Sequence, residues 1–365
     1  MTRDRSKTSV PEQTLDSLRE RIRLLDLDLV ARVAERVDLA RRVGEIKRRQ
    51  KLSTADYAQE RTVLERARSA AQEQGLDPSV AEDLFSRLIR ASVTAQDEDS
   101  LRLAGLGAGK SAVIVGGAGR MGRWLGRFLS AQGYSTGALD PAAAPEANAW
   151  ARRAFASADL VVCSTPPATV VELYADWSRE PPAGVVVDIA SIKTPLIEPI
   201  RALQRAGCRV ASIHPMFGPS TVLLREADVV ICDTGDPEAT TTVEKLFQPT
   251  TARLVHLPIA EHDRVMADLL SLAHAAALAF ALALPPTEHP VHSSTFQDLE
   301  SVAATVARES PDVYYEIQAM NPHSASALER LRLALDRIVA TVAARNAQEF
   351  RAMFAEAEQR TQRRN

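Results

Sequence analysis

The sequence predicts a chain in three parts: an all-helical N-terminal domain, an α/β domain on a doubly wound sheet, and an all-helical C-terminal domain. Three observations carry this. Leu15 to about Arg49 has no proline, and its apolar residues recur at three- and four-residue steps. Ser111–Gly122 passes from an apolar strand-like run into the spacing G-x-G-x-x-G. From Ala260 onward the chain is almost wholly helix-compatible with long apolar stripes. With 365 residues there is room for two or three domains, and 45% hydrophobic with 25% charged residues is ordinary for a globular protein.

The N-terminal part, 12–98, is read as three helices. Leu15, Leu18, Ile22, Leu25, Leu29, Val33, Val37 and Ile46 form one stripe on a helix roughly 50 Å long at about 1.5 Å per residue. Two shorter helices follow, Asp56 to about Gln74 and Pro78 to about Gln96, and they are too short to cover that stripe. An intertwined homodimer is therefore expected. Arg36 and Lys47 lie eleven apart and face the same way within roughly 20°. Arg19 lies about 25 Å before Arg36 along the axis, too far to serve the same pocket in its own chain but able to serve a partner's. On spacing alone these cations read better as a solvated basic face than as a site.

Residues 99–110 are expected to be a linker ending in Leu-Ala-Gly-Leu-Gly-Ala-Gly, and 111–258 the α/β domain. Ala112–Val115 is a buried-strand run; Gly117, Gly119 and Gly122 let the chain turn tightly and approach a pyrophosphate at the start of the following helix. Arg120 and Met121 lie within that loop. A second strand, Ser135–Leu139, ends at Asp140, placed to bind the adenosine ribose 2′-OH and to repel a 2′-phosphate. These features define a Rossmann-type site for NAD. Further strand-like runs at Leu160–Thr165, Val185–Ala190, Val210–Ile213, Val229–Cys232 and Leu254–Leu257 alternate mostly with helix-compatible segments. Ligands bind beyond the C-terminal ends of such strands. Three motifs fall there: Cys163-Ser-Thr165-Pro166-Pro167, Asp188-Ile-Ala-Ser191-Ile-Lys193 and His214-Pro-Met-Phe-Gly-Pro219. His214 ends a strand on the cofactor side, where a neutral imidazole suits removal of a hydroxyl proton during hydride transfer. Ser191 is positioned to orient the same hydroxyl.

The remaining residues, 259–365, read as a helical dimerisation and substrate-pocket domain. A net charge of -3 gives no general field for nucleic acid. Cys163, Cys208 and Cys232 are odd in number, widely spaced and without metal-ligand pattern, so reduced thiols and no metal site are expected. Met1–Gln13 lacks a signal-peptide core, and the apolar run Leu269–Leu284 is short for a bilayer span of about 20 residues. No membrane partner and a cytoplasmic location follow as expectations.

Leu18-Arg19, Glu35-Arg36, Gly44-Glu-Ile-Lys47, Asp56-x-x-x-Glu60 and Ser92-Val-Thr-Ala-Gln96 resemble the all-helical chorismate mutases over residues 14–98. The resemblance implies that Arg36 and Lys47, with Arg19 from a partner subunit, bind the carboxylates of chorismate. It also implies that Lys47 and Gln96 bond the ether oxygen, with Asp56 and Glu60 near the ring hydroxyl. Such a rearrangement needs no proton transfer, only a held pose and a stabilised breaking C–O bond. The family's further arginine falls on Gln59 here, and Arg61 is about 200° away on a helix.

Gly117-x-Gly-x-Met-Gly122, Asp188-x-x-Ser-x-Lys193, Ser212-Ile-His-Pro-Met-Phe-Gly-Pro219 and Glu261-His-Asp263 with His274 resemble the prephenate dehydrogenases. The whole chain thus resembles the fused chorismate mutase/prephenate dehydrogenases of tyrosine biosynthesis. By that resemblance His214 polarises the substrate 4-hydroxyl with Ser191 beside it, and His274 lies near nicotinamide and substrate. Glu261-His-Asp263 reads as a structural helix-start motif. Fused members carry an arginine for a substrate carboxylate near Ser293–Asp298, where this chain has Gln297. Two sites have each lost a cation. Besides the chorismate and prephenate reading, this leaves 4-amino-4-deoxychorismate and its prephenate analogue as substrates, or a non-catalytic helical module on a dehydrogenase.

Overall fold

A computed structural model describes residues 14–50, 52, 56–221, 224, 225, 227–285, 291 and 293–362. The reading of Met1–Gln13 lies outside them. The chain forms two compact units. One holds Met1–Gly105, Ser220–Ala227 and Phe247–Arg253; the other holds Leu106–Pro219, Asp228–Leu246 and Leu254–Asn365.

The first unit is built on α1 (Leu15–Arg49), whose N-cap Thr14 accepts from the Ser17 amide at 3.2 Å. Lys47, Arg48 and Arg49 close it against the negative end of its dipole. Then come α2 (Tyr57–Glu73), capped by Asp56, and α3 (Pro78–Ala104), capped by Asp77 with Pro78 in its first turn. Helix α3 runs past the expected boundary at 98. Ser100 and Leu101 are buried there, so residues 99–104 are helix rather than linker, and Gly105 ends it at φ +56°. Gly44 is the one buried residue of α1. A Cβ there would stand 2.8 Å from Gln96 Cγ, so glycine lets α3 come close at that level. The N-terminal half of α1 leaves its apolar stripe in solvent, with Ile22 58% exposed.

The second unit holds a seven-stranded sheet of order β2-β1-β3-β4-β5-β6-β7. Its elements are β1 (Ser111–Val115), α4 (Arg120–Ala131), β2 (Ser135–Leu139), α5 (Pro145–Ala154), β3 (Leu160–Cys163), α6 (Pro167–Trp177), β4 (Val185–Asp188), α7 (Ile197–Arg205), β5 (Arg209–Pro215), β6 (Asp228–Asp233), α8 (Pro237–Phe247) and β7 (Arg253–Pro258). The β2, β1, β3, β4 and β5 strands are parallel; β1, β3 and β4 are almost wholly buried and apolar, as strands covered on both faces require, while β2 at the edge buries only Gly137. Strand β6 departs from a purely parallel sheet. It pairs antiparallel to β5, with Ser212 opposite Cys232 and His214 opposite Val230. A parallel return needs a crossover, usually a helix, and no helix is described between β5 and β6.

Ile259–Ala283 is a single 25-residue helix: α9 (Ile259–Met266), a π-helical turn (Ala267–Leu272) and α10 (Ala273–Ala283). Because α9 joins the apolar run, the helix is longer than the run alone, and its most apolar 18 residues have mean hydropathy 1.8. By length and composition it meets the measure of a bilayer span, which corrects the expectation that the run is too short. Its first half nonetheless carries His262, Asp263 and Ser271, all buried and hydrogen-bonded within the protein. Helices α11 (Ser294–Ala307), α12 (Pro311–Met320), α13 (Ser324–Ala343) and α14 (Ala347–Gln362) complete the unit.

Candidate active sites

The glycine loop sits between β1 and α4. Gly116 has φ +79°, and a Cβ on Gly117 would stand 2.5 Å from Ala138 Cβ. On Gly122 a Cβ would meet the Gly116 carbonyl oxygen. Neither position admits a side chain, so the loop folds close enough for α4 to present its unspent first-turn amides. Asp140, just after β2, accepts from the Ala118 amide at 3.0 Å through Oδ2 and from the Ala142 amide at 2.8 Å through Oδ1. Its carboxylate is thereby fixed against the glycine loop. Thr165 Oγ1, beyond β3, is buried without a protein partner, and Pro166 N-caps α6. Loop, acid and orphaned hydroxyl fit a dinucleotide. Gly119 N-caps α4, Met121 is half-buried, and Arg120 turns its guanidinium to Glu309 at 2.8 Å.

His214, on β5, is 5% exposed. Its Nδ1 lies 3.1 Å from Nε2 of His262, whose Nδ1 lies 2.7 Å from Asp263 Oδ1. Asp263 Oδ1 also accepts from the Lys193 amide at 2.8 Å and Oδ2 from the Thr194 amide at 2.7 Å. Burial pushes the Asp263 carboxyl up, but His262 and these amides outweigh it and hold it below the usual carboxylate range. The ionised carboxylate accepts a hydrogen bond from His262 Nδ1–H, so in the neutral ring His262 Nε2 is the acceptor. His214 Nδ1 must then donate, which leaves the lone pair on His214 Nε2. Burial, then the neighbouring His262 and Lys193, push the His214 imidazolium well below the ordinary histidine value. His214 is therefore a neutral base of fixed tautomer.

Glu261-His-Asp263 is thus more than a helix start, because His262 and Asp263 stand behind His214. Asp188 and Lys193 form a fully buried ion pair at 2.6 Å, and Lys193 Nζ also donates to the Ile213 carbonyl at 2.8 Å. This pair ties the β4 loop to the strand bearing His214. Ser191 lies in that loop, half-buried. His274 is half-buried on α10, its ring 4.2 Å from Tyr314, with Nδ1 buried and unpartnered. Burial lowers its imidazolium below the ordinary value. Gln297 is exposed on α11.

In the helical unit a cleft of about 270 Å³ is lined by Arg36, Lys47, Asp56, Gln59, Glu60 and Gln96 among apolar residues of α1, α2 and α3. Six of the predicted residues therefore meet in one place. Arg36 donates to Ser92 Oγ at 2.6 Å and to the Leu88 carbonyl at 2.9 Å; Gln96 donates to the Ala40 carbonyl at 2.8 Å. Lys47 Nζ is 3.5 Å from Asp56 Oδ2. Arg19 is outside the cleft, 69% exposed in its side chain beside Asp16, and Arg61 is also exposed. One neighbour was not foreseen. Arg225, between β5 and β6, pairs with Glu60 at 2.5 Å and stands 4.7 Å over the Tyr57 ring.

Residues 18–97, which hold this cleft, match the type II chorismate mutase family. Residues 131–256 match the nucleotide-binding domain of prephenate dehydrogenases. The chain belongs to the fused chorismate mutase/prephenate dehydrogenase family. It joins an isomerase to an oxidoreductase. It is 29% identical over 354 residues to the T-protein of Enterobacter agglomerans, covering 94% of this chain and 92% of that one. To the 4-amino-4-deoxyprephenate dehydrogenase of Streptomyces pristinaespiralis it is 31% identical over 274 residues, 67% of this chain and 88% of that one. Residues 282–353 also match a TYRAAT1-like C-terminal domain. The fold resembles the prephenate dehydrogenase of A. aeolicus solved with hydroxyphenyl propionate and NAD+, with TM-score 0.56, 19% identity, and 70% and 98% of the two chains covered. The arogenate dehydrogenase of Synechocystis gives 0.53 at 17% identity, with 70% and 100% covered.

Proposed function

We propose that this member of the fused family converts chorismate to prephenate in its helical unit. Its second unit then oxidatively decarboxylates prephenate with NAD to 4-hydroxyphenylpyruvate, as in tyrosine biosynthesis. The observation that carries the reading is the His214–His262–Asp263 chain, which leaves one basic lone pair at the cofactor end of the sheet.

In the dehydrogenase step His214 Nε2 accepts the proton of the 4-hydroxyl as hydride leaves C4. The C1–carboxylate bond breaks, CO2 departs, and its electron pair completes the aromatic ring. The proton then returns to the phenolic oxygen. NAD, when bound, supplies the hydride acceptor. Gly117, Gly119 and Gly122 admit its pyrophosphate, Asp140 takes the ribose, and Thr165 and Pro166 border it. Ser191 orients the hydroxyl, and His274 closes the substrate side.

In the mutase step Arg36 and Lys47 hold the carboxylates, while Lys47 and Gln96 stabilise charge on the ether oxygen. The exposed half of α1 pairs with a second copy, and Arg19 enters that copy's cleft. We place the homodimer in the cytoplasm, acting on small molecules, without nucleic acid or membrane.

A second reading takes the 4-amino analogues as substrates. It is favoured by the name of the Streptomyces pristinaespiralis relative and by Gln59 and Gln297 where the family carries arginine. A helical unit serving only for dimerisation does not need Arg36, Lys47, Asp56, Glu60 and Gln96 in one cleft.

The test is NADH formation from prephenate and from 4-amino-4-deoxyprephenate at equal concentration, with chorismate consumption measured alongside. The proposal requires a higher kcat/KM for prephenate. Preference for the amino compound moves the enzyme to specialised metabolism, and inactivity with both overturns the dehydrogenase reading. Unchanged chorismate turnover after Lys47→Ala leaves the helical unit as a dimerisation module.

A further inference from the structure

The carboxylates lining the helical cleft are both on the α2 side. Asp56 and Glu60 lie one turn apart, across from Arg36 and Lys47 on α1. A dianionic substrate must turn its carboxylates toward α1. Its remaining polar substituent then faces the Asp56 and Glu60 end. What that end accepts depends on its charge. Asp56 is offset by Lys47 at 3.5 Å. Among the described residues Glu60 forms its ion pair with a residue outside α1, α2 and α3. Its partner is Arg225, at 2.5 Å, with the two side chains only 11% and 18% exposed. The guanidinium also lies 4.7 Å over Tyr57, one turn before Glu60 on the α2 surface. Salt bridge and ring stacking together hold a planar guanidinium in one place, as a lysine ammonium would not be held. The segment bearing it, Ser220–Ala227, is part of the helical unit, and Leu224 beside it is 5% exposed.

We propose that Arg225 is a specificity-determining residue of the mutase cleft, acting through Glu60. Its positive charge cancels that of Glu60, so the substituent end is electrically neutral and selects a hydroxyl over an ammonium group. The inference rests on the chorismate mutase reading of the cleft. With Arg225 in place, an ammonium meets a carboxylate already paired, and a second cation nearby repels it. Without Arg225 the bare carboxylate attracts an ammonium and repels the dianion. Arg225 also adds one positive charge near a cleft that lacks the arginine expected at Gln59.

The test compares kcat/KM for chorismate and for 4-amino-4-deoxychorismate in the full-length protein. The variants are Arg225→Ala, Arg225→Lys and Arg225→Ala with Glu60→Gln, each checked by thermal melting. The wild type is expected to prefer chorismate. Arg225→Ala should shift the ratio toward the amino compound by roughly tenfold, mostly by raising KM for chorismate. Arg225→Lys, which keeps the charge but not the stacked, fixed guanidinium, should restore the ratio only in part. Glu60→Gln, by removing the exposed charge, should bring the ratio of the double variant back toward the wild type. A wild type that prefers the amino compound overturns the inference, as does a ratio unmoved by Arg225→Ala. Equal loss for both substrates makes Arg225 a structural clasp and overturns it too. A wild type that consumes neither substrate removes the mutase reading itself, and the inference with it.

Discussion

The two sites of this chain solve their chemistry in opposite ways. The cleft on α1, α2 and α3 is open, and its charged side chains reach partial solvent. The His214 site is closed, its relay and the Asp188–Lys193 pair lying within the core. A rearrangement without proton transfer asks for charges in suitable places. A changed position such as Gln59 alters the strength of that field without abolishing it. A step that moves a hydride and a proton asks for one nitrogen with one tautomer. Burial and a chain of single hydrogen bonds suit that need, because each link fixes the tautomer of the next.

The comparison breaks most visibly at His214. His214→Ala should lower dehydrogenase kcat by about 10²–10⁴-fold, measured by NADH formation, with chorismate turnover close to the wild-type rate. A comparable fall in both activities would show that the two sites do not work independently. Asp263→Asn should cost about a hundredfold in the same assay, because an amide no longer dictates which nitrogen of His262 carries the proton. It also leaves one of the Lys193 and Thr194 amides facing an NH2 in place of an acceptor, so unfolding in urea should reveal a loss of about 1–3 kcal/mol.

The pH profile sharpens the contrast. The base role proposed for His214 needs a neutral ring, and its imidazolium is held well below the ordinary value. The kcat/KM for prephenate should therefore stay level as pH falls from 7 through 6.5. A descending limb centred at or above that value would contradict the closed site. Asp140→Asn should raise KM for NAD about tenfold and admit NADP, read from initial rates with each cofactor. The smallest change belongs to the open cleft. Gln59→Arg should raise kcat/KM for chorismate by about two- to fivefold, as expected for one added charge in partial solvent.

Much of this was legible in the sequence because it is local. The strand before Gly117, the strand ending at Asp140 and the stripe of α1 are patterns within a few residues. Arg36, Lys47 and Gln96 needed only helical geometry and the resemblance to meet in one cleft. Elements that depend on distant contacts were not legible. His262 looked like part of a helix start because its partner, His214, lies 48 positions earlier. Strand β6 has the apolar pattern of its neighbours, and periodicity does not encode direction. The end of α3 read as linker because Ser100 and Leu101 owe their burial to tertiary packing. Arg225 lay in a connection with no pattern of its own, and only folding shows its carboxylate.

The helical unit is not finished where its three helices end. It also contains Ser220–Ala227 and Phe247–Arg253. During synthesis Arg225 is joined to the chain about 120 residues after Gly105. At 5–20 residues per second that is a delay of roughly ten seconds. For that interval the residues of α1, α2 and α3 are present without the arginine that pairs with Glu60, and a ribosome stalled there would carry the carboxylates of the cleft without that counter-charge.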